Sequence, residues 1–183
     1  MKKYQILYID PPWKQLKGGI RKSRPKQTRL LDYPTMDFND IFNLIDNVLI
    51  QYCEPNPTIF IWTIDKFLHS CEHKLEQMSN LKRHARIIWD KENGMAPAFT
   101  IRYAHEYLLW YYVSPMQKIN KDMRGKYTTI LREKSIKHSK KPLCAYEMIE
   151  NLYPNTNKLE LFARSKREDW DVWGNEVECD INF

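Results

Sequence analysis

The chain has 183 residues, 43% of them hydrophobic and 13% aromatic, enough to bury one substantial core in a single domain spanning residues 1–183. Its net charge of +6 and pI near 9.0 favour a polyanionic partner such as nucleic acid. No apolar run is long enough to cross a bilayer, Met1-Lys2-Lys3 is not followed by a signal-peptide core, and the cysteines (Cys53, Cys71, Cys144, Cys179) and five histidines read as scattered; membrane insertion, secretion, a disulfide framework and a metal centre are therefore not expected, whereas a cytoplasmic, reducing location is.

The first predicted element is a strand over 4–9, and it stops at Asp10-Pro11-Pro12-Trp13. A β-rich run ending this way delivers a carboxylate, a rigid backbone carbonyl and an aromatic face together at a strand's C-terminal end. Such a cluster suits a planar base that carries an exocyclic amine. The amine of adenine is a poor nucleophile because its lone pair is delocalised into the ring, so an enzyme that alkylates it has to hold both N–H bonds and aim the lone pair. Asp10 offers one acceptor and the Pro11 carbonyl a second, while Pro11 and Pro12 fix φ and remove two competing donors. Trp13 is expected to stack on the base. Taken alone, the tetrapeptide also reads as a strand followed by a Pro-Pro turn with a rim aromatic.

Beyond it lies a basic loop at about 14–32, with seven Lys/Arg and no acidic residue between Lys14 and Arg29, including Lys17, Arg21, Lys22 and Arg24. Tyr33 follows. A helix is predicted over 37–52, starting at Thr35-Met36-Asp37, then a strand over 58–63, a helix over 65–79 and strands over 85–90 and 107–113. His105 and Glu106, just ahead of the last of these, read slightly better as a structural hydrogen-bonded pair than as the rim of a site. A second basic segment, 114–140, contains a predicted strand over 127–132. Nine Lys/Arg stand against two acidic residues between Lys118 and Lys141, Arg124 and Lys126 among them. A helix over 142–152, with Pro142 in its first turn, and strands over 157–163 and 171–177 complete the chain. This alternation predicts an open, mostly parallel α/β sheet flanked by helices, with ligands at the C-terminal ends of its strands. Both basic loops are expected to flank the Asp10 site, to be mobile until substrate binds, and to track a phosphate backbone while Trp13 and Tyr33 hold the base.

Eight blocks in order carry a resemblance: Asp10-Pro-Pro-Trp13, Tyr33-Pro-Thr-Met36, Phe60-Ile-Trp-Thr63, Ile88-Trp-Asp-Lys91, His105-Glu-Tyr-Leu-Leu109, His138-Ser-Lys-Lys-Pro142, Leu159-Glu-Leu-Phe-Ala-Arg164 and Trp170-Asp-Val-Trp-Gly-Asn-Glu176. Across nearly the whole chain it resembles the adenine N(6)-methyltransferase family typified by the catalytic subunit of the eukaryotic mRNA adenosine methyltransferase, and within it the small bacterial and phage DNA adenine methyltransferases. The resemblance implies a Rossmann-like methyltransferase fold and S-adenosylmethionine as methyl donor. The chain has no Gly-x-Gly-x-x-Gly, but this donor has no phosphate to cradle. It needs a cation for its carboxylate, acceptors for its amine and hydroxyls, and a flat slot for its adenine.

Lys141, ahead of Pro142 at a predicted helix N-terminus, reads by spacing alone as a surface lysine; the resemblance makes it a donor contact aided by the helix dipole. It likewise assigns Asp10, Arg164, Asn175 and Glu176 to the donor. Larger relatives have a strand upstream of the tetrapeptide whose acidic end helps hold the donor's adenosine. Only nine residues precede Asp10 here, so Asp180, in a strand formed by 177–181, is expected to replace it. The motifs leave DNA or RNA open as substrate, with DNA favoured, and leave open a non-catalytic nucleic-acid-binding partner subunit; a homodimer or a partner subunit also fits. Methylation of a protein glutamine is disfavoured, since those related enzymes usually carry Asn-Pro-Pro-Tyr.

Overall fold

A nearly continuous apolar run, interrupted only by Gln5, gives the first strand two buried faces, and a strand buried on both faces belongs in the middle of a sheet. The computed structural model describes residues 2–14, 34–78, 80–92, 101–135 and 140–182. In chain order these form β1 (Tyr4–Ile9), α1 (Phe38–Tyr52), β2 (Cys53–Thr63), α2 (Asp65–Gln77), β3 (Leu81–Asp90), β4 (His105–Val113), a 3-10 turn (Lys121–Met123), β5 (Ile130–Arg132), α3 (Leu143–Leu152), β6 (Lys158–Leu161) and β7 (Trp170–Trp173). The strands make one seven-stranded sheet in the order β5-β3-β4-β2-β1-β6-β7. All neighbours are parallel except β4, which runs against both β2 and β3. The expected mostly parallel α/β architecture is therefore present.

Side-chain alternation sorts the core into two layers. Leu7, Ile9, Ile59, Ile61 and Leu109 pack beneath α1 and α2 with Ile41, Ile45, Val48 and Leu75. Ile6, Tyr8, Phe60, Trp62, Leu108 and Trp110 pack beneath α3 with Ala145, Met148 and Ile149. Apart from Tyr4, which lies before the register shift in β1 and joins the first layer, these strands feed odd-numbered residues to one layer and even-numbered residues to the other.

Element limits differ from the sequence reading where backbone chemistry intervenes. Strand β2 starts at Cys53 although Pro55 and Pro57 follow, because its register jumps from Tyr4 opposite Cys53 to Ile6 opposite Thr58 and leaves both prolines outside the regular ladder. Strand β6 stops at Leu161, because Phe162 turns to φ 63° and ends the extended run. No strand forms at 177–181, and β5 keeps only the last three residues of the expected 127–132. Since six strands share one direction, Ile9, Thr63, Asp90, Arg132, Leu161 and Trp173 all end at one edge of the sheet. The antiparallel β4 begins there, at His105.

Candidate active site

The strand-end turn after β1 is pinned from four directions. The Asp10 N–H reaches the Leu161 carbonyl at 3.4 Å, the Trp13 N–H donates to the Pro11 carbonyl at 2.8 Å, and the Met36 N–H donates to the Pro12 carbonyl at 3.0 Å. The Trp13 indole N–H donates to the Trp62 carbonyl at 3.2 Å. Pro11 and Pro12, having no N–H of their own, supply acceptors only. The Pro11 carbonyl has one lone pair engaged with Trp13 and a second lone pair for another donor.

This pinning revises the role expected of Trp13. Its ring is 5% exposed and packs against Phe38 at 5.8 Å and Phe67 at 5.3 Å, near parallel to both. With those aromatic neighbours packed against it in the core, it holds the turn onto α1 and α2, and is not available to stack on a base. Tyr33 and the basic residues Lys17, Arg21, Lys22 and Arg24 lie outside the described residues.

Four charged side chains of alternating sign converge beside Asp10. Lys141, two residues before α3, places its ammonium 3.0 Å from Asp10 Oδ1 and 2.7 Å from Glu106 Oε2. The other oxygen of Glu106 meets Lys91 Nζ at 2.5 Å. All four side chains are only 12–19% exposed. The Lys141 ammonium also lies 5.3 Å from the centre of the buried Trp62 ring. Burial pushes the Asp10 carboxyl upward against the pull of Lys141. For Glu106, burial acts in the same upward sense, but Lys141 and Lys91 overcome it and hold the carboxyl below its ordinary value. Burial works to lower Lys141, yet Asp10 and Glu106 outweigh it and keep the ammonium charged.

Lys91 was missed by sequence reasoning, and Glu106 takes the site-rim role that was weighed below a structural pair with His105; the two residues have separate partners. Adjacent strand residues point to opposite faces: the His105 ring lies 2.9 Å from the Tyr107 hydroxyl, while Glu106 turns toward Lys141. The available signal was a charged residue at the tip of an apolar strand, in the same block as the resemblance.

A cavity of about 750 Å³ opens from this cluster toward β6 and β7, with Asp10, Lys141, Tyr146, Glu160, Phe162, Arg164 and Glu176 among its walls. Arg164 and Glu176 approach to 3.9 Å across its mouth. Asn175 is exposed on the same turn and does not line it. The turn sits close against β6: a side chain at Gly174 would meet the Ala163 carbonyl oxygen at 2.2 Å. Beneath Asp10, Trp62 donates to the Tyr8 hydroxyl at 2.6 Å and Tyr146 donates to Glu160 at 2.9 Å. Burial raises Glu160 to about 7, with the nearby Asp10 charge adding to it and the Tyr146 hydroxyl opposing.

Three further expectations are corrected. Asp180 spends one oxygen on the Val172 N–H at 2.9 Å and the other on Lys166 at 3.1 Å, so it braces the outer edge of β7 and is not among the cavity walls. The N-terminal amides of α3 do not await a ligand, since Leu143 and Cys144 both donate to the Glu133 carboxylate at 2.8 Å. Arg124 and Lys126 do not flank the site. They follow the 3-10 turn, which is tied to the C-terminus of α3 through Asn120 N–H to the Leu152 carbonyl, and the ten-residue helix, about 15 Å long, separates them from Lys141. Among the described residues no group of three metal-ligating side chains forms; His69 and His73, one turn apart on α2, stack on each other.

A mostly parallel sheet with one reversed strand, tipped by a carboxylate that faces a polar cavity, matches the architecture of the Rossmann-like methyltransferases, and the family comparison identifies the class. The chain belongs to the MT-A70 family, whose model matches residues 4–176. It is similar to Type II methyltransferase M.MunI of Mycoplasma sp, with 24% identity over 199 residues that span 96% of this chain and 78% of that relative. Among the described residues no helix is long and apolar enough to cross a membrane.

Proposed function

We propose that this chain transfers a methyl group from S-adenosylmethionine to the exocyclic N(6) amine of adenine in DNA. The observation that carries the reading is Asp10, held 3.0 Å from Lys141 at the end of β1 and opening on the adjoining cavity. The cavity suits this donor: Lys141 would take its carboxylate, Arg164 and Glu176 its ribose hydroxyls, and Phe162 gives a flat apolar wall. When bound, S-adenosylmethionine supplies an electrophilic methyl group on a sulfonium.

Asp10 and the Pro11 carbonyl accept the two N–H bonds of the flipped adenine amine and so turn its lone pair along the line of attack. As the N–C bond forms, the amine becomes acidic and its proton passes toward Asp10, whose buried carboxyl is already shifted upward. Lys141 stabilises the carboxylate before transfer. DNA is favoured over RNA because the type II relative belongs to the class of enzymes that modify DNA.

Replacing Asp10 with asparagine tests this directly. Asp10→Asn keeps the size of the side chain but removes its charge and replaces one acceptor oxygen with an NH2 donor, and methylation is expected to fall by at least about a hundredfold while the far-ultraviolet spectrum stays unchanged. The assay follows labelled S-adenosylmethionine into matched DNA and RNA oligonucleotides, with digestion to identify the methylated nucleoside. Undiminished N(6)-methyladenine from Asp10→Asn would overturn the assignment, and label in RNA alone would replace DNA as substrate.

A further inference from the structure

The two outer members of the charge cluster have no place in the reaction just described. Lys91 follows the last residue of β3, and its backbone N–H bonds the Ala104 carbonyl at 2.9 Å. Glu106 sits on the adjoining strand, opposite Trp89. Their side chains meet at 2.5 Å, and the Lys91 ammonium also lies 5.3 Å from the centre of the Trp89 ring. Trp89 in turn donates its indole N–H to the carbonyl of Glu133, the residue whose carboxylate caps α3. These contacts close a ring: β3, the Glu133 segment, α3 and the start of β4 are all joined around Lys141.

Charge balance explains why two extra groups are present. Lys141 alone between Asp10 and Glu106 would leave a net negative charge in a poorly hydrated place, and one carboxylate would take up a proton instead. Lys91 makes the cluster neutral, so both carboxylates stay available as acceptors. Glu106 uses separate oxygens for the two lysines. It can therefore keep hold of Lys141 when Asp10 lets go.

That exchange is what methyl transfer demands of this site. Asp10 cannot accept from the adenine amine with full strength while it also holds Lys141, and Lys141 cannot serve a donor carboxylate if it swings out to solvent. We propose that Lys91 and Glu106 are a positioning pair: Lys91 fixes Glu106, and Glu106 holds the Lys141 ammonium at the junction of Asp10 and the donor carboxylate. The inference rests on reading this cluster as the methyl-transfer site, and adds residues that touch neither methyl donor nor base.

The test uses the full chain as Lys91→Met, Lys91→Arg, Glu106→Gln and the double variant Lys91→Met/Glu106→Gln. S-adenosylmethionine binding is measured by calorimetry, and kcat and KM are measured with the unmethylated form of the oligonucleotide that the parent modifies. Loss of one buried charge-assisted contact predicts that Lys91→Met weakens donor binding by about ten- to a hundredfold and lowers kcat, with little change in oligonucleotide KM. Lys91→Arg restores most of both. Because the two residues act in series, the double variant loses no more than the worse single variant.

Unchanged donor affinity in Lys91→Met, additive losses in the double variant, or a defect confined to oligonucleotide KM would each overturn the proposal, the last by making Lys91 a phosphate contact. Asp10→Asn serves as the control that separates the two claims. If it abolishes transfer while Lys91→Met behaves as the parent, only the positioning role fails; if the parent neither binds S-adenosylmethionine nor transfers its methyl group, both fail.

Discussion

Trp13 shows how one residue type can be chosen for two reasons that a sequence does not separate. An aromatic side chain after two prolines suits base stacking, and it equally suits a core anchor for a turn that has given up its own N–H donors. Packing decides: Phe38, Phe42 and Phe67 surround the ring, and its burial fastens the Asp10 turn to both helices on that face. Glu160 shows the opposite case, a charged residue placed in the core. Its raised value, about 7 against an ordinary 4.5, means that the folded state holds a proton the unfolded chain releases. Glu160 therefore favours the fold below about pH 4.5, and that advantage is lost as pH rises through 7. At about 1.4 kcal/mol per unit the difference amounts to about 3 kcal/mol. Urea denaturation of Glu160→Gln is expected to show a flatter dependence between pH 5 and 8 and a higher midpoint than the parent at pH 8. Parallel curves for the two proteins would mean that Glu160 stays ionised in the fold.

At the level of elements, α3 is the part whose placement matters most. Its N-cap is Pro142, which has no side-chain acceptor to offer. Glu133, nine residues earlier and just past the end of β5, supplies the missing cap through both carboxylate oxygens. The amides bring a charge-assisted gain, which outweighs burial and holds this carboxyl below its ordinary value. Since Lys141 stands two residues before α3, the cap also sets where that lysine begins. Glu133→Ala is expected to cost roughly 0.5–2 kcal/mol of stability and to weaken S-adenosylmethionine binding; an unchanged donor affinity in calorimetry would show that α3 is placed by its apolar face alone. The strands β1, β2, β4 and the three helices were legible in the sequence because their apolar periodicity is long. The shorter β5, β6 and β7 were overextended, since their ends are set by Phe162 at positive φ and by turns closing against neighbours.

For the molecule as a whole, net charge points to nucleic acid, but tertiary structure redistributes it. Of the basic run between Lys118 and Lys141, Arg124 and Lys126 lie at the far end of the sheet, while Lys140 and Lys141 line the cavity. A polyanion binding this surface releases counterions, whereas S-adenosylmethionine enters a cavity in which Lys141, Arg164 and Arg167 already face carboxylates. Raising salt from 50 to 200 mM is therefore expected to weaken oligonucleotide binding at least about tenfold in fluorescence anisotropy and to change donor affinity little; a flat oligonucleotide response would remove phosphate tracking from the account. By itself, the sequence determined the α/β class, the strand end that carries Asp10, and the family, because local periodicity and a rare tetrapeptide need no long-range information. Only the tertiary structure decided that Trp13 is a core residue, that Glu106 and Lys91 join Asp10 and Lys141, and that Arg124 and Lys126 do not. Those outcomes depend on which strand lies beside which, on the direction β4 runs, and on which face of the sheet each side chain meets. Distances between residues far apart in the chain are set by packing.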